Sequence, residues 1–557
     1  MDRIEAKILI NNLLRRIKQI DAEQYELPGV LTTGELDALN LALSILGGEA
    51  PLASLPPVPT PSADLTPAAT TDRPPPPPPS IVLNLSIFEH PQPSPKERLC
   101  LDFGTAMSKA ALVLSGIDED DVEEIHVLEL GKPGDQREVS DTMLISSLYI
   151  DNSGLIWFGK KALDRSLVEG GNGERMRIDN VKRFLSEGAM QTIASAIYNP
   201  TQTQLKGGDL LLAYLMFMTW AANSDAAKYG VPRNIKRRFA MPCFSAEQSR
   251  EVEGTLRTLL GEAQVLADTF GDALHQGLRV EDFAEAAKQL RSVARQYEFV
   301  TEALTEPLGV ANAILSTDSN TRRLTLIVDV GAGTSDVSLY RLHVDSDSGV
   351  RQALEAKGAA RGIPLAGNHL DRALTELILR KAGVGSDNPR NVNIRSNLAL
   401  NIRDYKEALF IGETLTVRLL DGQVVDVEIN ELTELAAVQT FRNELRQCLV
   451  DTLETVDESW VGVASREGLA VILTGGGSKL AMVQELTSGQ LEVKGRTIRL
   501  LPTAAFPDWL RREYPALEDD FPRIAVSLGG GRESLIHHQL AHITAGDVLT
   551  APVLDRF

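Results

Sequence analysis

Cysteine is scarce in this chain: Cys100, Cys243 and Cys448 are odd in number and far apart. Their spacing supports neither a disulfide framework nor a thiolate metal site, and it fits a reducing compartment. Positive charge is also short, with 56 Lys and Arg against 76 Asp and Glu and a formal net charge of −20. Such a surface argues against general binding to a nucleic-acid backbone and favours solubility, while leaving open a basic cleft for one nucleotide. Long apolar runs are missing. The most apolar stretch, LLLAYLMFMTWAA from Leu210 to Ala222, has thirteen residues where a bilayer span needs roughly 20. It reads as a buried helix, the alternative being a partner-binding face. The N-terminal MDRIEAKILINNLLRRIK carries acidic residues and no apolar core, so it is not a secretory signal and a cytoplasmic protein is expected. Neither G-x-G-x-x-G nor G-x-x-x-x-G-K-[ST] occurs, which excludes support for a Rossmann site or a P-loop.

What is present is a soluble composition, 43% hydrophobic and 24% charged over 557 residues, enough for two or three domains. Residues 1–49 read as a small helical module, because Ile8, Leu9, Leu13, Leu14 and Ile17 recur at helical spacing and Thr32 and Glu35 have capping-box spacing. Residues 50–95 are rich in Pro, Ser and Thr and include six consecutive prolines, Pro74 to Pro79. Such a run favours polyproline II and reads as a semi-rigid linker. Within it, IVLNLSIF (Ile81 to Phe88) has the pattern of an isolated strand. From Lys96 onwards short β-branched strands alternate with helical stretches such as Glu281 to Ala303 and His369 to Ala382, an α/β texture.

Two of the strand pairs share a design. LCLDFGTAMSKAALVL (Leu99 to Leu114) and LTLIVDVGAGTSDVSLYRL (Leu324 to Leu342) each run apolar strand, Asp, glycine turn, polar residue, apolar strand, about 227 residues apart. Glycine lets the turn backbone approach a ligand and aim N–H groups at it, hydroxyls can meet phosphate oxygens, and each Asp can hold a hydrated divalent cation. A third glycine-rich turn, Gly475-Gly476-Gly477 in AVILTGGGSKLAMVQELT, follows a buried strand and precedes a helix, which suits a nucleotide's phosphate or sugar.

On these residues the chain resembles the ATPase domain of the heat-shock protein 70 family, within the actin and sugar-kinase superfamily, over about Lys96 to Gly531. LCLDFGTAMSKAAL is similar to that family's first phosphate loop, LIVDVGAGTSDVSL to the second, VILTGGGSKLAMVQEL to the adenosine loop and TEPLGVANAIL to the segment connecting the lobes. Four further matches fall in order: IWFGKKAL with IDNVKRFL, RRFAMPCFSAEQSR, LAGNHLDRALTELIL and DDFPRIAVSLGGG. The resemblance implies an actin-like ATPase fold, with two ribonuclease-H-like lobes around a central nucleotide cleft. Lobe I would take residues 96–322, lobe II 323–514, and 515–557 would return to lobe I and end in a tail.

The resemblance also implies roles. Asp102 and Asp329 would hold magnesium through water. Gly104, Thr105, Ala106, Gly331, Ala332, Gly333 and Thr334 would line the phosphates of ATP or ADP. Lys182 would position the γ-phosphate and attacking water, Glu306 and Asp336 would orient that water or accept its proton, and Thr334 would assist. Gly475, Gly476 and Lys479 would lie by the ribose and adenine, with Gly367 and Lys406 nearby. Pro242 and Arg250 match positions tied to communication between lobes. The chain departs from the family at Ala106, Met107, Lys109, Ala332, Asn368, His369 and Phe410.

Two larger departures bear on function. The 26 residues after Gly531 hold no match to the family's peptide-binding β-sandwich, so clamping of peptides by that domain is not expected. Residues 261–295 are surplus and read as one or two extra helices, either a surface elaboration or a docking site. The expectation is a chaperone-like ATPase, with weak turnover, whose lobe movement regulates a protein partner through the N-terminal module, the proline-rich linker or the insert. The alternatives are a nucleotide-dependent scaffold with little hydrolysis and an actin-like filament former.

Overall fold

The structure, a computed structural model, describes residues 81–532 apart from 116–122, 138, 316–319, 346–349 and 386–387, together with 18–19 and 25–26. In the N-terminal unit, Lys18–Gln19 pairs antiparallel with Tyr25–Glu26; the rest of the expected helical module, the proline run and the tail after residue 532 lie outside the described residues.

The opening hairpin forms where the sequence places two apolar strands around an Asp and a glycine turn. Strand β1 (Glu97–Asp102) pairs antiparallel with β2 (Met107–Leu114), with Leu99 opposite Leu112 and Asp102 opposite Lys109. The far edge of β2 takes β3 (Glu124–Val127) and β4 (Leu144–Ile145). β5 (Leu148–Ile150) and β6 (Leu155–Phe158) pair antiparallel in a small separate sheet, which Leu278–Arg279 extends antiparallel beside β6. Helices α1 (Gly159–Glu169), α2 (Arg183–Ser186) and α3 (Gly207–Ala226) follow. β7 (Lys236–Met241) then lies parallel to β1. After α4 (Ala246–Phe270), β8 (Leu278–Arg279) and α5 (Val280–Arg291), β9 (Val300–Thr305) joins β7 in parallel. Helix α6 (Glu306–Ile314) leads out of this sheet.

The second sheet repeats the plan. β10 (Thr321–Val330) pairs antiparallel with β11 (Ser335–Asp345), with Asp329 opposite Asp336, and β11 takes β12 (Val350–Glu355) and β13 (Arg361–Ile363). Helices α7 (Gly367–Lys381) and α8 (Asn391–Gly412), the hairpin β14 (Thr414–Arg418) and β15 (Val424–Glu428), and helices α9 (Ile429–Thr433), α10 (Ala436–Thr455) and α11 (Glu458–Glu467) come next. β16 (Leu469–Thr474) lies parallel to β10, and β18 (Arg496–Pro502), paired with β17 (Gln490–Val493), lies parallel to β16. In both sheets, therefore, three antiparallel strands are extended by two parallel ones beside the first strand. Each sheet has its own apolar core, and a third cluster that includes Cys100, Leu304, Ile327, Ile472 and Phe521 lies between them.

Helix α3 settles the question of the apolar run: Leu210 to Ala222 are all buried, with Phe217 stacked on Phe158 at 5.0 Å. No helix among the described residues is long and apolar enough to cross a membrane. The insert is likewise part of the core. Ala263, Val265, Leu266, Phe283 and Leu290 are buried in the first cluster, and Arg291 bridges Glu262 at 3.1 Å and Asp209 at 2.7 Å, tying α5 to α4 and α3. The helix expected over Glu281 to Ala303 ends at Arg291, and the chain turns into β9.

The segment Ile81 to Phe88 is not a strand. It ends in a 3-10 turn, Ser86–Glu89, that buries Ile87, and Asn84 holds it to Thr269 and Asp268. Its alternating pattern comes from packing one side against the first core. Finally α12 (Phe521–Gly531) crosses α6 at backbone contact: a Cβ at Gly529 would lie 1.9 Å from the Gly309 carbonyl oxygen, so only glycine fits there.

Candidate functional site

The two hairpin tips meet. A Cβ on Gly333 would lie 2.5 Å from Thr105 Oγ1, so the turn after β10 comes against the turn after β1 only because residue 333 is glycine. Gly331 closes its own turn by donating its N–H to the Thr334 carbonyl at 3.0 Å. The start of α7 seals the same turn from behind: Asn368 N–H donates to the Ala332 carbonyl at 2.7 Å and Gly367 N–H to the Gly331 carbonyl at 3.2 Å. Lys406 on α8 reaches Gly367 O at 3.2 Å and pairs with Asp371 at 2.7 Å. Ala332 has no left-handed φ, so an alanine costs no strain where the related family has glycine. Phe410 packs on the second core.

Around these tips the acidic residues converge on a lysine. Lys182, at the N-terminus of α2, donates to Glu306 Oε1 at 2.5 Å, and both side chains are about one-tenth exposed. Glu306 is the first residue of α6, where β9 ends. Burial alone would lower the Lys182 pKa, but the charges of Glu306, Asp102 and Asp336 outweigh it and hold the ammonium above its ordinary value. Asp329 is buried, and the neighbouring charges of Glu306, Asp336 and Asp102 add to burial in pushing its carboxyl well above the usual range. Asp336 is pushed up to about 7, by burial first and by Glu306 second.

The acids are also individually held. Cys243, just past β7, donates its backbone N–H to Asp336 Oδ1 at 2.6 Å, while Asp336 Oδ2 is buried without a hydrogen-bond partner. Thr474, the last residue of β16, donates its hydroxyl to Asp329 Oδ1 at 3.1 Å. Lys109 on β2 pairs with Asp102 at 3.2 Å. Gly475 has φ of +80°, and a Cβ there would lie 2.6 Å from Asp329 Oδ1 and 2.3 Å from the Val330 carbonyl oxygen, two independent reasons for glycine.

The structure thus brings together Asp102, Thr105, Lys182, Glu306, Asp329, Gly331, Ala332, Gly333, Thr334, Asp336, Gly367, Lys406 and Gly475. Gly104 sits at the tip of the first turn, where a Cβ would meet the Met107 carbonyl oxygen at 2.0 Å and Lys109 Nζ at 3.2 Å. Ala106 uses its carbonyl to accept from Ser146 N–H at 2.9 Å. Gly476 and Lys479 stand exposed on the 3-10 turn Gly476–Lys479, and no direct contact ties them to the acidic cluster. Arg250 is exposed on α4 and Pro242 is buried. Sequence reasoning missed the Cys243 amide, Thr474 and the pairing of Lys109. Only Lys109 left a signal, as the residue that closes the hairpin register on Asp102.

Chemically, four carboxylates face two ammonium groups, and no group of three His, Cys, Asp or Glu side chains among the described residues lies close enough to hold a metal directly.

Comparison with known proteins agrees with the motifs. The chain is 28% identical over 238 residues to the chaperone protein HscA homolog of Shewanella woodyi, covering 41% of this chain and 34% of that protein. It is 26% identical over 333 residues to the HscA homolog of Delftia acidovorans, covering 56% and 49%. It is 28% identical over 200 residues to the chaperone protein HscA of an Enterobacter, covering 36% and 29%. The chain spans between about a third and a half of the length of these relatives. No family model matches it. HscA proteins are members of the heat-shock protein 70 family, and the resemblance read from the motifs is borne out over the shared segment.

Proposed function

We propose that this chain is a chaperone-type ATPase of the heat-shock protein 70 kind, which binds ATP in the cleft between the two sheets, hydrolyses it to ADP and phosphate, and uses the relative movement of the two halves to regulate a protein partner. The observation that carries the reading is the convergence of Lys182, Glu306 and Asp336 at the place where the two hairpin tips touch. Phosphoryl transfer asks mainly for positioning and charge neutralisation. Thr105, Thr334 and the backbone of residues 331–333 offer hydroxyls and N–H groups to phosphates. Lys182, held by Glu306, supplies positive charge at the γ-phosphate. Asp336, fixed through one oxygen by the Cys243 amide, keeps its other oxygen for the attacking water.

Magnesium, when bound, would neutralise the phosphates and polarise the transferred group. Asp102 and Asp329 would hold it through water, and the surplus of carboxylates over lysines fits a cation. Gly475 would bring the third turn to the ribose. Cytoplasmic location and a partner that docks through residues 1–95 belong to the same reading. A second reading, a nucleotide-dependent scaffold with little turnover, is favoured by Ala106, which removes a hydroxyl from the first phosphate turn.

Single-turnover ATP hydrolysis by the full chain and by Lys182→Ala separates the two. The ATPase reading expects the variant to lose hydrolysis. Equal, near-background rates in both proteins with tight ATP binding would establish the scaffold instead.

A further inference from the structure

Lys109 is a cation at the hairpin tips to which the proposed chemistry gives no role. It stands on β2 directly across from Asp102, its ammonium is 3.2 Å from Asp102 Oδ2, and its side chain is 14% exposed. The same nitrogen lies 3.2 Å from where a Cβ of Gly104 would be, so it hangs over the turn whose backbone meets the ligand. Its positive charge is felt by Asp329, whose carboxyl it pulls down against the surrounding acids. Ala106, in the same turn, has no side-chain donor.

We infer that Lys109 binds the phosphates of the nucleotide, and that this turn exchanges the hydroxyl donor absent at residue 106 for an ammonium donor at residue 109. The inference rests on the nucleotide-binding reading above and deepens it. The chemistry is direct. A carboxylate partner 3.2 Å away keeps the ammonium over the turn, and a polyphosphate with several negative charges competes for it more strongly than a single carboxylate. A lysine acts as a point charge, so the interaction needs phosphate and is indifferent to the base.

The test is binding, measured by calorimetry on the full chain with ATP, ADP and adenosine, for wild type, Lys109→Met, Lys109→Arg and the double variant Lys109→Met with Ala106→Thr. Lys109→Met is expected to weaken ATP and ADP by about ten-fold or more, as for loss of a charge-assisted bond, and to leave adenosine unchanged. Lys109→Arg is expected to keep most of the affinity, and Ala106→Thr to restore part of what Lys109→Met loses. Unchanged ADP affinity in Lys109→Met, or an equal loss for ADP and adenosine, overturns the inference while leaving nucleotide binding standing. Wild type that binds neither ATP nor ADP overturns the nucleotide reading itself, and this inference with it.

Discussion

The backbone N–H of Cys243 and the carboxylate of Asp336 are joined at 2.6 Å, so the exit of strand β7 in the first sheet holds an acid that starts strand β11 in the second. A Cβ at Gly362 would lie 2.9 Å from the same oxygen, so glycine there leaves Oδ1 its room. Oδ2 is left buried and without a hydrogen-bond partner. On the proposed reading, Oδ1 is held by the fold and Oδ2 faces the attacking water.

Asp336→Asn keeps an acceptor for the Cys243 amide and removes the proton acceptor. Single-turnover ATP hydrolysis is expected to fall by about a hundred-fold or more, the usual worth of a positioned general base, with ATP affinity changed by no more than a few-fold. A variant that hydrolyses at the wild-type rate removes Asp336 from the reaction.

The same acid makes stability depend on pH. Its carboxyl is at about 7 in the folded protein against an ordinary value of 3.8. The native state therefore holds a proton that the unfolded state has released. That contribution is fully present below about pH 4 and is lost as pH rises through about 7. Relative to Asp336→Asn, wild type without nucleotide is expected to lose on the order of a few kcal/mol across this window. Urea unfolding of both proteins from pH 4.5 to 8 reads the difference, and a difference independent of pH would contradict it.

Lys182→Ala strands Glu306 as a buried charge without its partner. The expected cost is about 3–5 kcal/mol of unfolding free energy, the range for breaking one side of a buried pair. Replacing both residues, as in Lys182→Met with Glu306→Leu, is expected to recover most of it. Denaturant midpoints check this; a double variant no more stable than the single one would show that the charge imbalance is not the cause.

Gly529→Ala places a methyl 1.9 Å from Gly309 O and 2.5 Å from Ala313 N, forcing α6 and α12 apart. About 1–3 kcal/mol of stability is expected to go, as for overpacking. Gly254→Ala on α4 has nothing within 4 Å of the new carbon and is expected to stabilise by about 0.5–1 kcal/mol through helix propensity. Thermal unfolding of the two variants should move in opposite directions.

Much of this site was legible because its parts are local. An Asp, a glycine turn and a hydroxyl between two apolar strands are contiguous in the chain, and the two copies mark both hairpins. The buried helix from Leu210 to Ala222 was legible for the same reason, since a thirteen-residue run without a charge favours burial. Other features depend on partners far along the chain. Ile81 to Phe88 alternates like a strand, yet Asn84 bonds residues 184 and 185 positions away, and these set a turn instead. The insert's Ala and Leu content fits a surface helix or a core helix equally, and the burial of Ala263, Val265, Leu266, Phe283 and Leu290 in the first core shows which.

By itself the sequence determined the local chemistry: where strands turn, which turns carry glycine, and which tips carry acids. Tertiary structure decided which charges meet. Lys182 and Glu306 are 124 residues apart, and Asp102, Asp329, Asp336 and Glu306 come from separate strand and helix ends. Their raised affinity for protons at Asp329 and Asp336 exists only after folding removes water and brings the like charges together. A pattern along a chain can name an acid, but burial and neighbours set what that acid does.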